Sequence, residues 1–324
     1  MRAAFYDKNG SARDVLNLGE IETPKPGPGE VRVKLAASGV NPSDVKSREG
    51  RTRKIAFPRV IPHSDGAGEI DAVGDGVPAS RVGERVWVWN GQWKRAFGTC
   101  ANHIVLPSPL AVKLPAHIGF EAGACLGIPA MTAYHAIEVA GAAKTVLVSG
   151  GAGGVGHYAI QFAKARGATV ITTISSDAKA KLAREAGADH VIDYKRENVG
   201  ERVMALTNKA GVDAVIEMDL AANAKLAPAI LHPRSTIVVY GTGSPEATIP
   251  SQYMLTSGIA IKFVFVYELT QAERDAAVSG ITRMLEEKRL INNVALTLPL
   301  NDIVAAHEAV EQSKALGNVV VSVT

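Results

Sequence analysis

The chain has 324 residues, more than one hydrophobic core usually serves, so two domains are expected. Apolar residues make up 47% and charged residues 21%, the balance of an ordinary globular protein, and a net charge of +3 excludes a polycation. No long run of Lys or Arg occurs, and Arg51-Thr52-Arg53-Lys54 reads as a solvated loop, which argues against nucleic acid as a main partner.

Two cysteines, Cys100 and Cys125, have no spacing that suggests a disulfide framework and fit a reducing compartment. The N-terminus turns polar within a few residues and carries no apolar signal core. No stretch approaches the roughly 18 uninterrupted apolar residues of a membrane span. The cytoplasm is the expected location.

In chain order, Pro24 to Gly29 mark a turn before Glu30 to Ala37, where Val31, Val33 and Leu35 fall on one face of a strand. Short apolar runs follow at 68–73, 85–89 and 103–106, punctuated by Gly and Pro, which predicts a partly closed barrel or sandwich. Near residue 120 the pattern changes to a small-residue helical stretch over 120–140, broken at Gly127-Ile128-Pro129. Strands are then expected at 145–149, 169–174, 190–192, 212–216, 236–239 and 259–264. Helices at 154–166, 177–185, 198–208 and 223–230 are expected between the first five of them. Nearly continuous apolar strands alternating with helices mean a parallel sheet covered on both faces. The tail predicts a long amphipathic helix over 272–290, a short helix over 303–314 and a strand over 318–323 that returns to the N-terminal β domain.

Gly150-Gly151-Ala152-Gly153-Gly154-Val155-Gly156 contains G-x-G-x-x-G between the first strand and first helix of this alternation. In that context the pattern is a dinucleotide site. The glycines allow a tight turn, close backbone approach to a pyrophosphate and close packing of helix on strand. The helix N-terminus then offers unpaired N–H groups to the phosphates. The second strand ends without an acid, at Ile174-Ser175-Ser176-Asp177-Ala178-Lys179. Ser175, Ser176 and Lys179 suit a ribose 2′-phosphate, and Asp177 reads as an early helix residue or cap, so NADPH is expected over NADH.

These residues give the chain a family resemblance. Pro28-Gly29-Glu30-Val31-Arg32-Val33 with Gly39-Val40-Asn41-Pro42-Ser43-Asp44, then Ile61 to Gly68, Gly83-Glu84-Arg85-Val86 and Ile128 to Tyr134, resemble the medium-chain dehydrogenase/reductase superfamily. Within it the chain is similar to the zinc-free, zeta-crystallin-like quinone oxidoreductases. The glycine loop, Gly187 to Ile192 and Ile216-Glu217-Met218 continue the match.

The resemblance implies an α/β protein with a GroES-like β-barrel domain over 1–122 and a Rossmann doubly wound parallel-sheet domain over 123–264. Residues 265–324 would return to the first domain. It implies a nicotinamide cleft between domains, a homodimer, and a quinone or enone as the small-molecule substrate. The alcohol-dehydrogenase branch has Cys where Asn41 stands and His-Glu where Ser64-Asp65 stands, so no metal is expected. His63 takes the place of a family Gly.

By the same resemblance, Asn41 and Thr132 are the catalytic candidates. Ala152, Gly153, Gly154 and Val155 would hold the pyrophosphate, and Ser175, Lys179 and Tyr194 the 2′-phosphate. Tyr194 also reads as a surface strand-end tyrosine, and Asn41 as a turn residue before Pro42. Gly241 and Thr242 would line the cofactor, Phe265, Val266 and Tyr267 would offer backbone to the carboxamide, and Asn318 would approach from the C-terminal strand. Lys46, which stands where the family often has Tyr, joins the cofactor-binding set. His63, His103 and Cys100 read as structural. The resemblance leaves three readings besides a quinone reductase: an NADPH-dependent reductase of enones, a structural or RNA-binding NADPH protein, and a zinc alcohol dehydrogenase.

Overall fold

The structure is a computed structural model that describes residues 1–324. It divides into two compact units, Met1–Pro129 with Thr282–Thr324, and Ala130–Ile281. The first unit opens with β1 (Arg2–Phe5), α1 (Ala12–Val15), β2 (Asn17–Glu20), β3 (Glu30–Val40), α2 (Pro42–Glu49) and β4 (Asp65–Val73). It continues with β5 (Arg85–Val88), β6 (His103–Pro107), β7 (Ala111–Lys113) and α3 (Phe120–Gly123). The second unit holds α4 (Met131–Ala140), β8 (Thr145–Val148), α5 (Gly154–Ala165), β9 (Thr169–Ile174), α6 (Asp177–Glu185), β10 (His190–Asp193) and α7 (Val199–Leu206). After these come β11 (Val212–Glu217), α8 (Leu220–Asn223), α9 (Ala227–Ile230), β12 (Leu231–Val239), α10 (Ser251–Ser257) and β13 (Ala260–Phe263). The chain ends with α11 (Gln271–Glu286), β14 (Val294–Pro299), α12 (Ile303–Glu311) and β15 (Asn318–Ser322).

The first unit is built on a mixed sheet in the order β14-β15-β3-β4-β5-β7, with β6 also paired to β3. Long β3 is its spine. Val31, Val33 and Leu35 alternate inward as a half-buried strand requires, and from Ala37 to Val40 every residue is buried. Two register shifts bend β3 against β4, between Arg32 and Val33 and between Leu35 and Ala37, as bulges do where a sheet curls. The last strand, β15, lies antiparallel on β3 and parallel to β14.

The second unit carries a parallel six-stranded sheet in the order β10-β9-β8-β11-β12-β13. The order reverses between β8 and β11, the switch point at which such sheets bind ligands beyond their strand ends. Helices cover both faces, so β8 and β11 are buried almost along their length.

Some boundaries differ from the sequence expectation. The helix expected over 223–230 is three short pieces starting at Leu220: a capped turn on Asp219, a 3-10 turn at Ala224–Leu226, and α9. Pro228 opens the last piece, where its missing N–H costs nothing, but it cannot continue a longer helix. The strand expected over 236–239 begins earlier, at Leu231, with a bulge around Pro233 before regular pairing resumes at Thr236. The tail helices stop short, at Glu286 and Glu311.

Candidate active site

The glycine loop sits at the C-terminal end of β8. Gly150 has φ +71, a left-handed turn that a side chain would strain. At Gly156 a methyl group would meet the Gly150 carbonyl oxygen at 2.3 Å, so only glycine lets α5 start this close to the loop. Gly153 is the N-cap of α5 and brings no side-chain oxygen to its first N–H groups. Those orphan donors and the partial positive charge of the helix end face the loop formed by Ala152, Gly153, Gly154 and Val155. Ala152 is buried, and Gly153 is exposed.

Glu217 braces the loop from below. One of its oxygens accepts the Ser149 hydroxyl at 2.7 Å, and the other accepts the Asp219 N–H at 2.6 Å and the Asn223 amide at 2.9 Å. Sequence reasoning missed this role. A buried acid at the end of a central strand, followed by Asp219 as a helix cap, was the available signal.

At the end of β9, the Lys179 ammonium donates to the Ser175 hydroxyl at 3.0 Å. Ser176 caps α6 by accepting the Lys179 N–H at 3.4 Å. Asp177 is the first residue of α6 and pairs with Arg196 at 3.4 Å. Tyr194 donates its N–H to the Ile174 carbonyl at 3.1 Å, which sets it beside Ser175, and the residue is 53% exposed. Ser175, Lys179 and Tyr194 are thus brought together, with no carboxylate at the strand end itself.

Thr132 lies in the first turn of α4. Its hydroxyl is buried and has no hydrogen-bond partner within the fold, which leaves a donor and acceptor for a ligand. Gly241 and Thr242 follow β12. A methyl group on Gly241 would meet the Met218 carbonyl oxygen at 2.5 Å, and the Thr242 hydroxyl donates to the Ser244 carbonyl at 2.6 Å. Phe265 leads into a 3-10 turn, Val266–Glu268, in which Val266 is buried. The Phe265 and Tyr267 rings lie 5.3 Å apart. The glycine loop, the Ser175–Lys179 pair and the orphan hydroxyl of Thr132 fit a phosphorylated dinucleotide.

The other candidates belong to the first unit. Asn41 is the N-cap of α2, with Pro42 following as the helix opens. Its N–H donates to the Asp44 carboxylate at 2.8 Å, and its side-chain amide donates to Asp65 Oδ2 at 2.8 Å. All three residues are buried. Burial pushes the Asp44 carboxyl up to about 7 against the hydrogen bonds from Asn41, and pushes Asp65 well above the usual carboxylate range. Lys46 lies one turn further along α2. Asn318 opens β15 and donates its side-chain amide to the Asn293 carbonyl at 3.1 Å.

Asn41, Ser64 and Asp65 do not fit a catalytic zinc ion. The set has no thiolate and no imidazole, the donors on which such a site mostly relies. Of the expected structural residues, Cys100 and His63 are fully buried, and His103 stands 3.4 Å from Asp71.

Two family models match the chain: the alcohol dehydrogenase GroES-like domain over residues 27–159, and the zinc-binding dehydrogenase over residues 154–283. A human quinone oxidoreductase is 30% identical over 91% of this chain and 89% of its own length. A 2-haloacrylate reductase from a Burkholderia species is 28% identical over 99% of this chain and 98% of its own. The crystal structure of an Escherichia coli quinone oxidoreductase complexed with NADPH superposes with a TM-score of 0.88 at 26% identity, covering 99% of this chain and 100% of that one. With a glycine loop at the switch point and an amide–carboxyl pair where the alcohol-dehydrogenase branch keeps its zinc ligands, the chain belongs to the medium-chain dehydrogenase/reductase superfamily and, within it, to the zinc-free quinone oxidoreductase family.

Proposed function

We propose that this protein reduces a quinone or a similar conjugated carbonyl by hydride transfer from NADPH, without a metal ion. The observation that carries the cofactor reading is the uncapped N-terminus of α5 at the glycine loop, with Lys179 and Ser175 joined at the end of β9. NADPH supplies the hydride. The α5 N–H groups at Gly154 and Val155 hold the pyrophosphate, with Ala152 and Gly153 leaving room for it. Lys179, Ser175 and Tyr194 hold the 2′-phosphate. Thr132 donates its free hydroxyl beside the nicotinamide, Gly241 and Thr242 line the cofactor, and the backbone of Phe265, Val266 and Tyr267 meets the carboxamide. Lys46 and Asn318 complete the cofactor-binding set.

Asn41 presents a side-chain N–H to the acceptor oxygen, the amide being held in that orientation by Asp65. A conjugated acceptor needs little more. Hydride addition gives a delocalised anion, which a hydrogen-bond donor stabilises and which takes its proton from water. The same site suits an α,β-unsaturated acceptor, a second reading favoured by the 2-haloacrylate reductase relative.

We place the protein in the cytoplasm, on its two unpaired and buried cysteines. No helix is long and apolar enough to cross a membrane. We infer a homodimer. Edge strand β13 and neighbouring α10 expose Phe263 at 72% and Leu255 at 82%, an apolar edge that a second copy would cover.

The test is anaerobic oxidation of NADPH and of NADH with benzoquinone, phenanthrenequinone and an enone. The expected result is fast NADPH oxidation with a quinone and little with NADH. In Lys179→Ala the KM for NADPH rises about tenfold or more, the worth of one charged hydrogen bond, while the NADH rate is unmoved. Tight NADPH binding with no turnover on any acceptor would overturn the reductase reading in favour of a binding protein.

A further inference from the structure

A fully buried string of polar side chains in the first unit is used by nothing described so far. Thr99 donates its hydroxyl to the Asp65 main-chain carbonyl. Ser38 Oγ lies 2.8 Å from Thr99 Oγ1 and 2.8 Å from His63 Nδ1. His63 Nε2 lies 3.0 Å from His307 Nε2, and the two imidazoles meet edge to edge, their planes within 25° and their centroids 5.1 Å apart. Ser38, His63, Thr99 and His307 each have 0% of their surface exposed.

One carbonyl fixes every proton in this string. A carbonyl oxygen only accepts, so the Thr99 proton points to Asp65. Thr99 Oγ1 must then accept the Ser38 proton, and Ser38 Oγ must accept from His63. His63 therefore carries its proton on Nδ1 and offers a lone pair at Nε2, which makes His307 the donor there, protonated on Nε2. Both rings are neutral in this scheme. Burial, which lowers His63 to about 3 and His307 well below the ordinary histidine value, agrees with it. The remaining nitrogen, His307 Nδ1, is left as an acceptor without a partner. A cationic ring would put a proton there with nothing to receive it.

The backbone shows that the string is not incidental. His63 has φ +77, a left-handed conformation that disfavours a side chain, and it stands where the family resemblance puts Gly. A strained residue persists where its surroundings over-determine it, which here means a side chain with a task. His307 sits on α12, the same helix whose Glu311 pairs at 2.6 Å with buried Arg48 of α2. From α12 one set of contacts runs to α2, which Asn41 caps, and the other to Asp65, which holds the Asn41 amide.

We propose that His307 and His63 are positioning residues for the Asn41–Asp65 pair, acting through a one-directional hydrogen-bond chain that ends on the Asp65 carbonyl. The proposal rests on the acceptor reading of Asn41, but its test separates the two. In ¹⁵N-histidine-labelled protein, His63 is expected to carry its proton on Nδ1 and His307 on Nε2. His307→Phe keeps an aromatic ring and removes the donor, whereas His307→Gln restores an N–H near the same place.

The Phe variant is expected to shift the Asn41 side-chain amide signals and to lower kcat about tenfold, within the roughly hundredfold that a 1 Å misplacement costs. Its NADPH affinity should stay unchanged, and the Gln variant should recover most of both losses. If the Phe variant does not fold, Thr99→Val cuts the same chain at its other end and is expected to move the same amide signals. A His63 protonated on Nε2 would overturn the proposal. So would a folded His307→Phe or Thr99→Val variant with unmoved Asn41 signals. If the wild type reduces no quinone, the nitrogen and amide signals still decide the positioning role, while the acceptor reading fails alone.

Discussion

Gly156 is where helix, loop and proposed phosphate site meet, and its contact is with backbone. An added methyl lies 2.3 Å from the Gly150 oxygen and 2.9 Å from the Gly150 carbonyl carbon, so no side-chain rotation relieves it. Gly156→Ala is expected to cost about 1–3 kcal/mol, the usual range for overpacking. It should also weaken NADPH binding, because the shift needed to fit the methyl moves the α5 N–H groups. Urea unfolding and NADPH fluorescence titration measure the two effects. A variant with wild-type affinity would mean that the loop does not carry the pyrophosphate. The glycine spacing made this residue readable in the sequence. The His63–His307 contact was not readable, because 244 positions separate the partners and His307 lies in no motif.

At the level of elements, legibility followed burial. β8 and β9 are buried runs bounded by polar turns, and their limits match the apolar windows closely. Residues 220–230 misled because small residues keep a helical rhythm through Pro228, while the actual start is set by the Asp219 cap. The Ser175–Lys179 contact could be anticipated from its spacing of four on either side of a helix start, whereas the Asn41–Asp65 bond needed the pairing of β3 with β4. The strand that matters most to the first unit is the last one. β15 lies between β14 and β3, and Val319, Val320, Val321 and Val323 are all at most 2% exposed. At about 1.5–3 kcal/mol for each buried valine, their loss compares with the whole stability of an ordinary domain. A chain ended at Lys314 is therefore expected to lose the fold of the first unit. All three tryptophans, Trp87, Trp89 and Trp93, lie in that unit, so a red-shifted emission at native pH would report it. Native emission from the shortened chain would show that β3 and β14 do not depend on β15.

For the molecule as a whole, four buried groups of the first unit make opposing contributions to how stability responds to pH, beside that of His157 in the second unit. Unfolded, His63 and His307 titrate near 6.5, and Asp44 and Asp65 near 3.8. Folding lowers both histidines, His63 to about 3, and raises both carboxyls, Asp44 to about 7, with burial the largest cause in each case. Between about pH 4 and 6.5 the unfolded chain holds more protons on these imidazoles and the folded chain more on these carboxyls, so their contributions to the slope oppose one another. Above that window the folded state holds more protons, and stability falls as pH rises through the Asp44 value. Below it the unfolded carboxyls take up protons too, and stability falls as pH drops. Removing one group unbalances the window in a definite direction. Asp65→Asn takes a proton from the folded side, so its stability relative to wild type should rise with pH across the window, by at most about 1.4 kcal/mol per pH unit, the slope of one proton. His307→Phe takes one from the unfolded side, and its relative stability should fall with pH within the same bound. Urea unfolding followed by tryptophan emission at several pH values within the window gives both slopes. A His307→Phe curve parallel to wild type would mean that His307 keeps its ordinary protonation in the folded protein, and with it that the His63–His307 pair is not held neutral; a parallel Asp65→Asn curve would say the same of the Asp65 carboxyl alone.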